Sequence, residues 1–172
     1  MFVTAGLGAA VWGYFYLKQN KKPALNALDV LPNNAVCLVE VSGFHELTNK
    51  LINQNLIWNG LTRVTQIKSI ESQISYFDSL TTQVEVFKDF FEGRKINLGF
   101  YNENQSLRLL ITFNLRELAQ EKDFKELLSQ NLKCEVNAEG LAEFWKDRLK
   151  YTIQVSNGVV AISESLELIK KC

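Results

Sequence analysis

From Phe2 to Leu17 the chain runs for sixteen residues without a charge, and Lys18, Lys21 and Lys22 follow at once. A helix of that length covers roughly 24 Å, against a hydrocarbon core of roughly 30 Å. It therefore spans where the bilayer thins or where flanking residues complete it. Trp12, Tyr14 and Tyr16 gather at its C-terminal end, where amphipathic rings favour the headgroup region, and lysines just beyond can snorkel to phosphates. The pattern predicts a transmembrane helix that anchors the protein (residues 1–17). The bilayer is contacted through residues 2–17, with Trp12, Tyr14, Tyr16, Lys18, Lys21 and Lys22 at the interface. A cleaved signal fits less well, because no basic region precedes the apolar run and no small-x-small site follows it. A nucleotide loop fits less well still. Gly6-Leu7-Gly8-Ala9-Ala10-Val11 lacks a preceding strand and carries Val11 at the third glycine position.

Residues 18–29, a mixture of charge, amides and Pro23, read as a linker, with one domain expected over 30–172. Ala35 to Val41 is a short apolar run rich in valine, as in a central strand, with Cys37 buried as a small hydrophobe. The period then changes. Phe44, Leu47, Leu51 and Ile52, and after them Ile57 through Ile67, Ile70, Ile74, Phe77 and Leu80, recur at steps of three and four, which predicts mostly helix over residues 44–92. A strict heptad is missing, so these stripes pack on a sheet rather than form a coiled coil. Thr82-Gln83-Val84-Glu85 reads as a capping box for a further helix.

Beyond Gly93 the period becomes two. Ile96, Leu98 and Phe100 alternate with polar or small residues, as do Leu107, Leu109, Ile111 and Phe113, and Asn102-Glu103-Asn104-Gln105 joins the two strands in a loop of about four residues. Arg116 to Leu132 reads as a helix with Leu118, Phe124, Leu127 and Leu128 inward, and Cys134 to Val136 as a short strand. Tyr151, Ile153 and Val155 lead through Asn157-Gly158, which suits a type I′ turn, into Val160 and Ile162. Ser163 caps a last helix. The fold class is α+β, a mixed or antiparallel sheet with helices packed on one face. The chain stops at Cys172 inside that helical pattern, so the expectation is the N-terminal part of a larger protein.

Nineteen basic and nineteen acidic residues cancel, leaving no overall field for nucleic acid. Cys37, Cys134 and Cys172 form neither a disulfide framework nor a metal knuckle. His45, the only histidine, offers no set of partners for a metal site or a nucleophilic triad. Glu103, Glu117, Glu121, Asp123 and Glu126 fall on loops or polar helix faces. Trp58 and Trp145 lie beside apolar neighbours, the setting of core or half-buried rings. These observations predict no catalytic residues, no cofactor and no metal.

The order of elements resembles a family of uncharacterised bacterial proteins, a domain of unknown function. The resemblance is carried by Leu31-Pro32 before the valine-rich strand Ala35 to Val41, by Asn55-Leu56-Ile57-Trp58 near a helix end, and by Ser156 to Ser163 (SNGVVAIS) in the late hairpin. It implies an anchored domain facing away from the cytoplasm. The expected function is a membrane-anchored, non-enzymatic interaction or envelope-associated domain, more periplasmic than cytoplasmic, whose protein partner is unknown. Two alternatives stay open. One is an enzyme fragment with its catalytic residues beyond residue 172. The other is an adaptor facing the cytoplasm, on the side where the lysine flank places it.

Overall fold

The computed structural model describes residues 25–54, 56–146 and 148–172. The expected anchor and its interface residues lie outside them. In chain order the elements are β1 (Cys37–Val41), α1 (Phe44–Leu47) running into a π-helical turn (Thr48–Asn53), α2 (Leu56–Leu61), α3 (Thr65–Gln83), α4 (Glu85–Phe91), β2 (Ile96–Glu103), β3 (Ser106–Asn114), α5 (Gln120–Leu132), β4 (Leu141–Lys146), β5 (Leu149–Ser156), β6 (Val159–Ser163) and α6 (Leu166–Ile169). The strands form one six-stranded sheet in the order β1-β2-β3-β6-β5-β4. Every neighbouring pair is antiparallel.

The alternation of side chains along each strand sorts the sheet into two unlike faces. On the front, Ile96, Leu98 and Phe100 of β2, Leu109, Ile111 and Phe113 of β3, and Ile153 and Val155 of β5 meet Phe44, Ile70, Ile74, Phe77, Phe124 and Leu128 from the helices. The helical stripe therefore packs on a sheet. Ile70, Gln73, Ile74 and Phe77 form the buried side of the 19-residue α3, one stripe at the helical period. Aromatic rings knit α4 and α5 to β3: Phe91 lies 4.8 Å from Phe113, and Phe90 lies 5.0 Å from Phe124.

The back face is smaller and more polar, with Asn97, Gly99, Tyr101, Leu110, Thr112, Ala161 and Ser163 buried along its central strands. Two pieces of chain cover it. Leu31 from the N-terminal segment and Leu168 and Ile169 from α6 pack with Tyr101, Leu110 and Ala161. Thus α6 sits on the face opposite the other helices, which corrects the one-faced arrangement expected from sequence. Its cap is Ser165, whose hydroxyl accepts from the Leu168 amide at 3.3 Å and donates to Glu103. Ser163, the expected cap, belongs to β6 and donates to the Leu109 carbonyl at 2.7 Å.

The expected linker ends inside the domain. Ala27 is 1% exposed, and its backbone is held from both sides. Its amide donates to Asn114 Oδ1 at 2.8 Å, and its carbonyl accepts from the Thr112 hydroxyl at 2.8 Å. Asn114 Nδ2 also donates to the Leu25 carbonyl at 2.8 Å. Farther along, the Tyr101 hydroxyl donates to the Pro32 carbonyl at 3.1 Å. Burial pushes that hydroxyl's pKa up to about 12, so it stays a neutral donor.

Other expectations change for local reasons. The valine-rich run is an edge strand, β1, and Cys37 near its start is exposed because the helix layer does not reach it. Thr82 caps nothing: its hydroxyl donates to the Asp78 carbonyl inside α3, and Val84 in extended conformation separates α3 from α4. Asn104 and Gln105, both at positive φ, close the β2–β3 hairpin in two residues rather than four. Residues 116–119 form turns before α5 begins at Gln120, and Lys133 in left-handed conformation ends it. Cys134 is buried but not in a strand, whereas 141–146, unassigned from sequence, forms β4. Trp145 on that edge strand is 68% exposed. The Asn157-Gly158 turn, at φ 52° and 77°, matches the type I′ expectation.

Gly140 sets the approach of β4 to β5. At φ +81° its carbonyl accepts from the Val155 amide at 2.9 Å, and a Cβ there would lie 2.4 Å from the Val155 carbonyl oxygen. Gly93, at φ +65°, would place a Cβ no closer than 3.7 Å to any neighbour, the Arg116 Nη2. Gly140→Ala is expected to cost at least about 3 kcal/mol, because a clash with backbone adds to the left-handed penalty. Gly93→Ala should cost about 1–2 kcal/mol from the backbone term alone. Urea unfolding of the two variants checks this, and equal losses would show that the close approach at Gly140 relaxes freely.

Candidate functional site

The groups that sequence offers for chemistry are placed apart. His45 is exposed on α1, with Nε2 2.9 Å from Asn49 Nδ2 and Nδ1 3.5 Å from Asp78 Oδ1. This couples a histidine to a carboxylate, but among the described residues no hydroxyl or thiol is hydrogen-bonded to the ring. Glu103 accepts from Ser165 at the cap of α6, and Glu121 accepts from the Gly158 amide at 2.6 Å in the β5–β6 turn. Glu126 accepts from Gln130 at 3.0 Å, one helical turn along. Trp58 is buried, at 8% exposure. Burial raises the pKa of the Cys134 thiol, which keeps it protonated and inert. Among the described residues no cluster of three or more metal-ligating side chains occurs.

A polar corner is more distinctive. It lies where β2 begins, β3 ends and the N-terminal segment crosses the back face, and it opens as a cleft of about 270 Å³. Asn26, Glu40, Lys95, Asn97, Asn114 and Arg116 line it, with Gly93, Arg94 and Leu115 completing the walls. Strand register places Glu40, Asn97 and Thr112 side by side across β1, β2 and β3. The docked segment engages Thr112 and Asn114 on β3, and its Asn26 borders the same cleft as the buried Asn97.

Two arginines frame this corner. Arg94 is 5% exposed, and its guanidinium is satisfied by neutral acceptors only. Nε donates to the Phe90 carbonyl, Nη1 to the Asn114 carbonyl at 3.0 Å and Nη2 to Gln120 Oε1 at 3.0 Å, while the Phe90 ring lies 4.2 Å from the guanidinium carbon. Burial, with the neighbouring Arg116 cation, brings its pKa down to about 10, which leaves it charged at neutral pH. One side chain thus joins the end of α4, the end of β3 and the start of α5. Arg116 is exposed and donates from Nη2 to the Glu92 carbonyl at 2.6 Å. Lys95 pairs with Glu40 at 2.8 Å. Three cations face one carboxylate.

The chain matches no protein-family model, no curated protein and no solved structure. What the corner can do follows from its own groups: it presents cationic and amide donors to a small polar anion. Sequence alone did not mark it. The only trace is Gly93-Arg94-Lys95 entering a strand whose second residue, Asn97, is polar yet buried. That pattern is indistinguishable from an ordinary helix-to-strand turn until the register brings Glu40, Asn114 and Arg116 beside it.

Arg94→Met is expected to lower stability by about 3 kcal/mol, because two carbonyls and an amide oxygen lose their donor in a shielded site. Chemical denaturation measures this. A loss under about 1 kcal/mol would mean that water replaces the guanidinium there.

Proposed function

We propose that the protein is a membrane-tethered, non-enzymatic binding domain displayed outside the cytoplasm. The observation that carries the reading is the docking of residues 25–31 on the back of the sheet. Leu25 and Ala27 are held by Asn114 and Thr112, so only residues 18–24 separate the uncharged run Phe2–Leu17 from the folded domain. Seven residues reach at most about 25 Å. With the run in a bilayer, the domain is kept close to the surface and the corner beside Asn26 faces the tether. Binding is favoured over catalysis because Glu103 and Glu121 are committed to structural hydrogen bonds, while among the described residues the His45–Asp78 pair has no nucleophile bonded to it.

The lysine flank at positions 18, 21 and 22 favours a second reading, the same tethered domain facing the cytoplasm. The distant resemblance to an anchored bacterial domain family supports the outward orientation. No helix among the described residues is long and apolar enough to cross a membrane, so the tether rests on residues 2–17 alone.

Fractionation of the full chain in a bacterial host tests the tether. Retention in membranes after a carbonate wash, with release by detergent, is expected. Ala9→Asp combined with Ala10→Asp should release it, since each central Asp costs about 2.5–3.5 kcal/mol on insertion scales. A wild-type chain found wholly in the soluble fraction would refute the proposal. Reporters fused after Cys172, one active only outside the cytoplasm and one only inside, separate the two orientations without disturbing the docked segment.

A further inference from the structure

We infer that the cleft over Asn97 is a binding site for a hydroxyl-bearing phosphate group, such as a phosphate monoanion or the headgroup of a glycerol phospholipid. The first support is an unmade hydrogen bond. Asn97 is 5% exposed, its Oδ1 is shielded from solvent, and no partner for it occurs among the described residues. A buried amide left unpaired costs about 1–3 kcal/mol, and folded proteins keep few of them without a use. This one lies on the wall of an open cleft rather than in the apolar core.

The second support is the charge around it. Arg116 uses one N–H on the Glu92 carbonyl, and a guanidinium has five. Lys95 is tied to Glu40 by an exposed pair whose two side chains are 73% and 47% accessible. Such a pair is worth little in water and rearranges easily. Arg94 adds a permanent positive charge behind the wall without offering its satisfied donors. The corner therefore carries a net positive field and two cationic side chains with spare N–H groups.

The chemistry of the ligand follows from the shape of this donor set. Arg116 follows β3, whereas Lys95 and Asn97 stand two residues apart at the start of β2, so the polar groups reach the cleft from two separate segments. That suits the divergent oxygens of a tetrahedral phosphate better than a planar carboxylate, which takes its donors as a parallel fork. Asn97 brings an acceptor as well as a donor, and Glu40 brings a second acceptor. Both call for a hydroxyl on or beside the phosphate, and both disfavour a fully ionised dianion. At about 270 Å³ the cleft lies just below the usual range for small-molecule sites, about 300–1,000 Å³, and takes a small group rather than a nucleotide. The site stands on these residues; only the lipid source of the phosphate rests on the tether proposed above.

The test follows the Asn97 side-chain amide by NMR in the full chain, held in maltoside micelles without phosphate at constant ionic strength. Inorganic phosphate is titrated in one arm, and phosphatidylglycerol is mixed into the micelles in the other. Sulfate, tetrahedral but without a hydroxyl at neutral pH, is the control. The expected result is a saturable shift with inorganic phosphate, at least about tenfold weaker with sulfate. In Arg116→Gln it should also be weakened about tenfold, the loss of one charge-assisted hydrogen bond. Lys95→Gln should weaken it similarly while leaving the Glu92 contact of Arg116 intact. A shift with phosphatidylglycerol as well assigns the headgroup as the source, and a shift with phosphate alone assigns the free anion. Both uphold the site, even if fractionation finds the chain soluble. No saturable shift in either arm, or a shift that sulfate reproduces and both variants leave unchanged, overturns it.

Discussion

A segment laid across the face of a sheet cannot borrow the strands' backbone groups, because the ladders already use them. At Ala27 two side chains of β3 take over that role. Thr112 offers a hydroxyl to the carbonyl, and Asn114 offers its amide oxygen to the N–H and its amide nitrogen to the carbonyl of Leu25. Much else depends on this substitute ladder. It requires polar residues at inward positions of a central strand, and these are satisfied only while the segment is in place. It also fixes where the chain enters the domain, beside the cleft that Asn97 of β2 lines.

The other side of the sheet is organised by an opposite device, a charge enclosed among neutral groups. Arg94 makes no ion pair among the described residues, yet its three hydrogen bonds and the Phe90 ring bind the end of α4 to the start of α5 and to the end of β3. A lysine has a point charge and no planar fork, so it could not hold three acceptors in these directions. The same strand end supplies both devices: Asn114 accepts from Arg94 through its backbone and holds the N-terminal segment through its side chain. Front and back layers therefore meet at one residue, beside the cleft.

This division explains what could be read from the chain. The helical stripe at Ile70, Ile74 and Phe77 and the alternation at Leu109, Ile111 and Phe113 were legible because a large apolar face imposes a period on the sequence. The Asn157-Gly158 turn was legible because its backbone angles restrict the residues allowed. The valine run at 35–41 looked central because composition does not reveal which strands flank it, and only pairing with β2 alone makes it an edge. β4 escaped notice because Trp145 points outward and blurs the alternation set by Ala142 and Phe144. The docking of residues 25–31 and the cleft were invisible for a deeper reason. The docking joins residues 85 to 89 positions apart, and the cleft needs Glu40 beside Lys95, 55 positions away, with both strand ends in register, and no local pattern encodes that meeting.

The two edges of the sheet limit where a partner can engage. β1 and β4 are short, five and six residues, and each carries a charged pair with its inner neighbour: Glu40 with Lys95 at 2.8 Å and Glu143 with Lys150 at 2.8 Å. Short, charged edges discourage the addition of another strand. The two pairs are not equivalent, however. Glu143 and Lys150 stand beside the exposed Trp145, whereas Glu40 and Lys95 line the cleft that also holds the unpaired, buried Asn97 amide oxygen. Opening the first pair exposes two charges to water with no new partner to gain. Opening the second admits an anion to Lys95, Arg116 and Asn97 together, so the weakness of an exposed ion pair becomes the means by which the corner accepts a ligand.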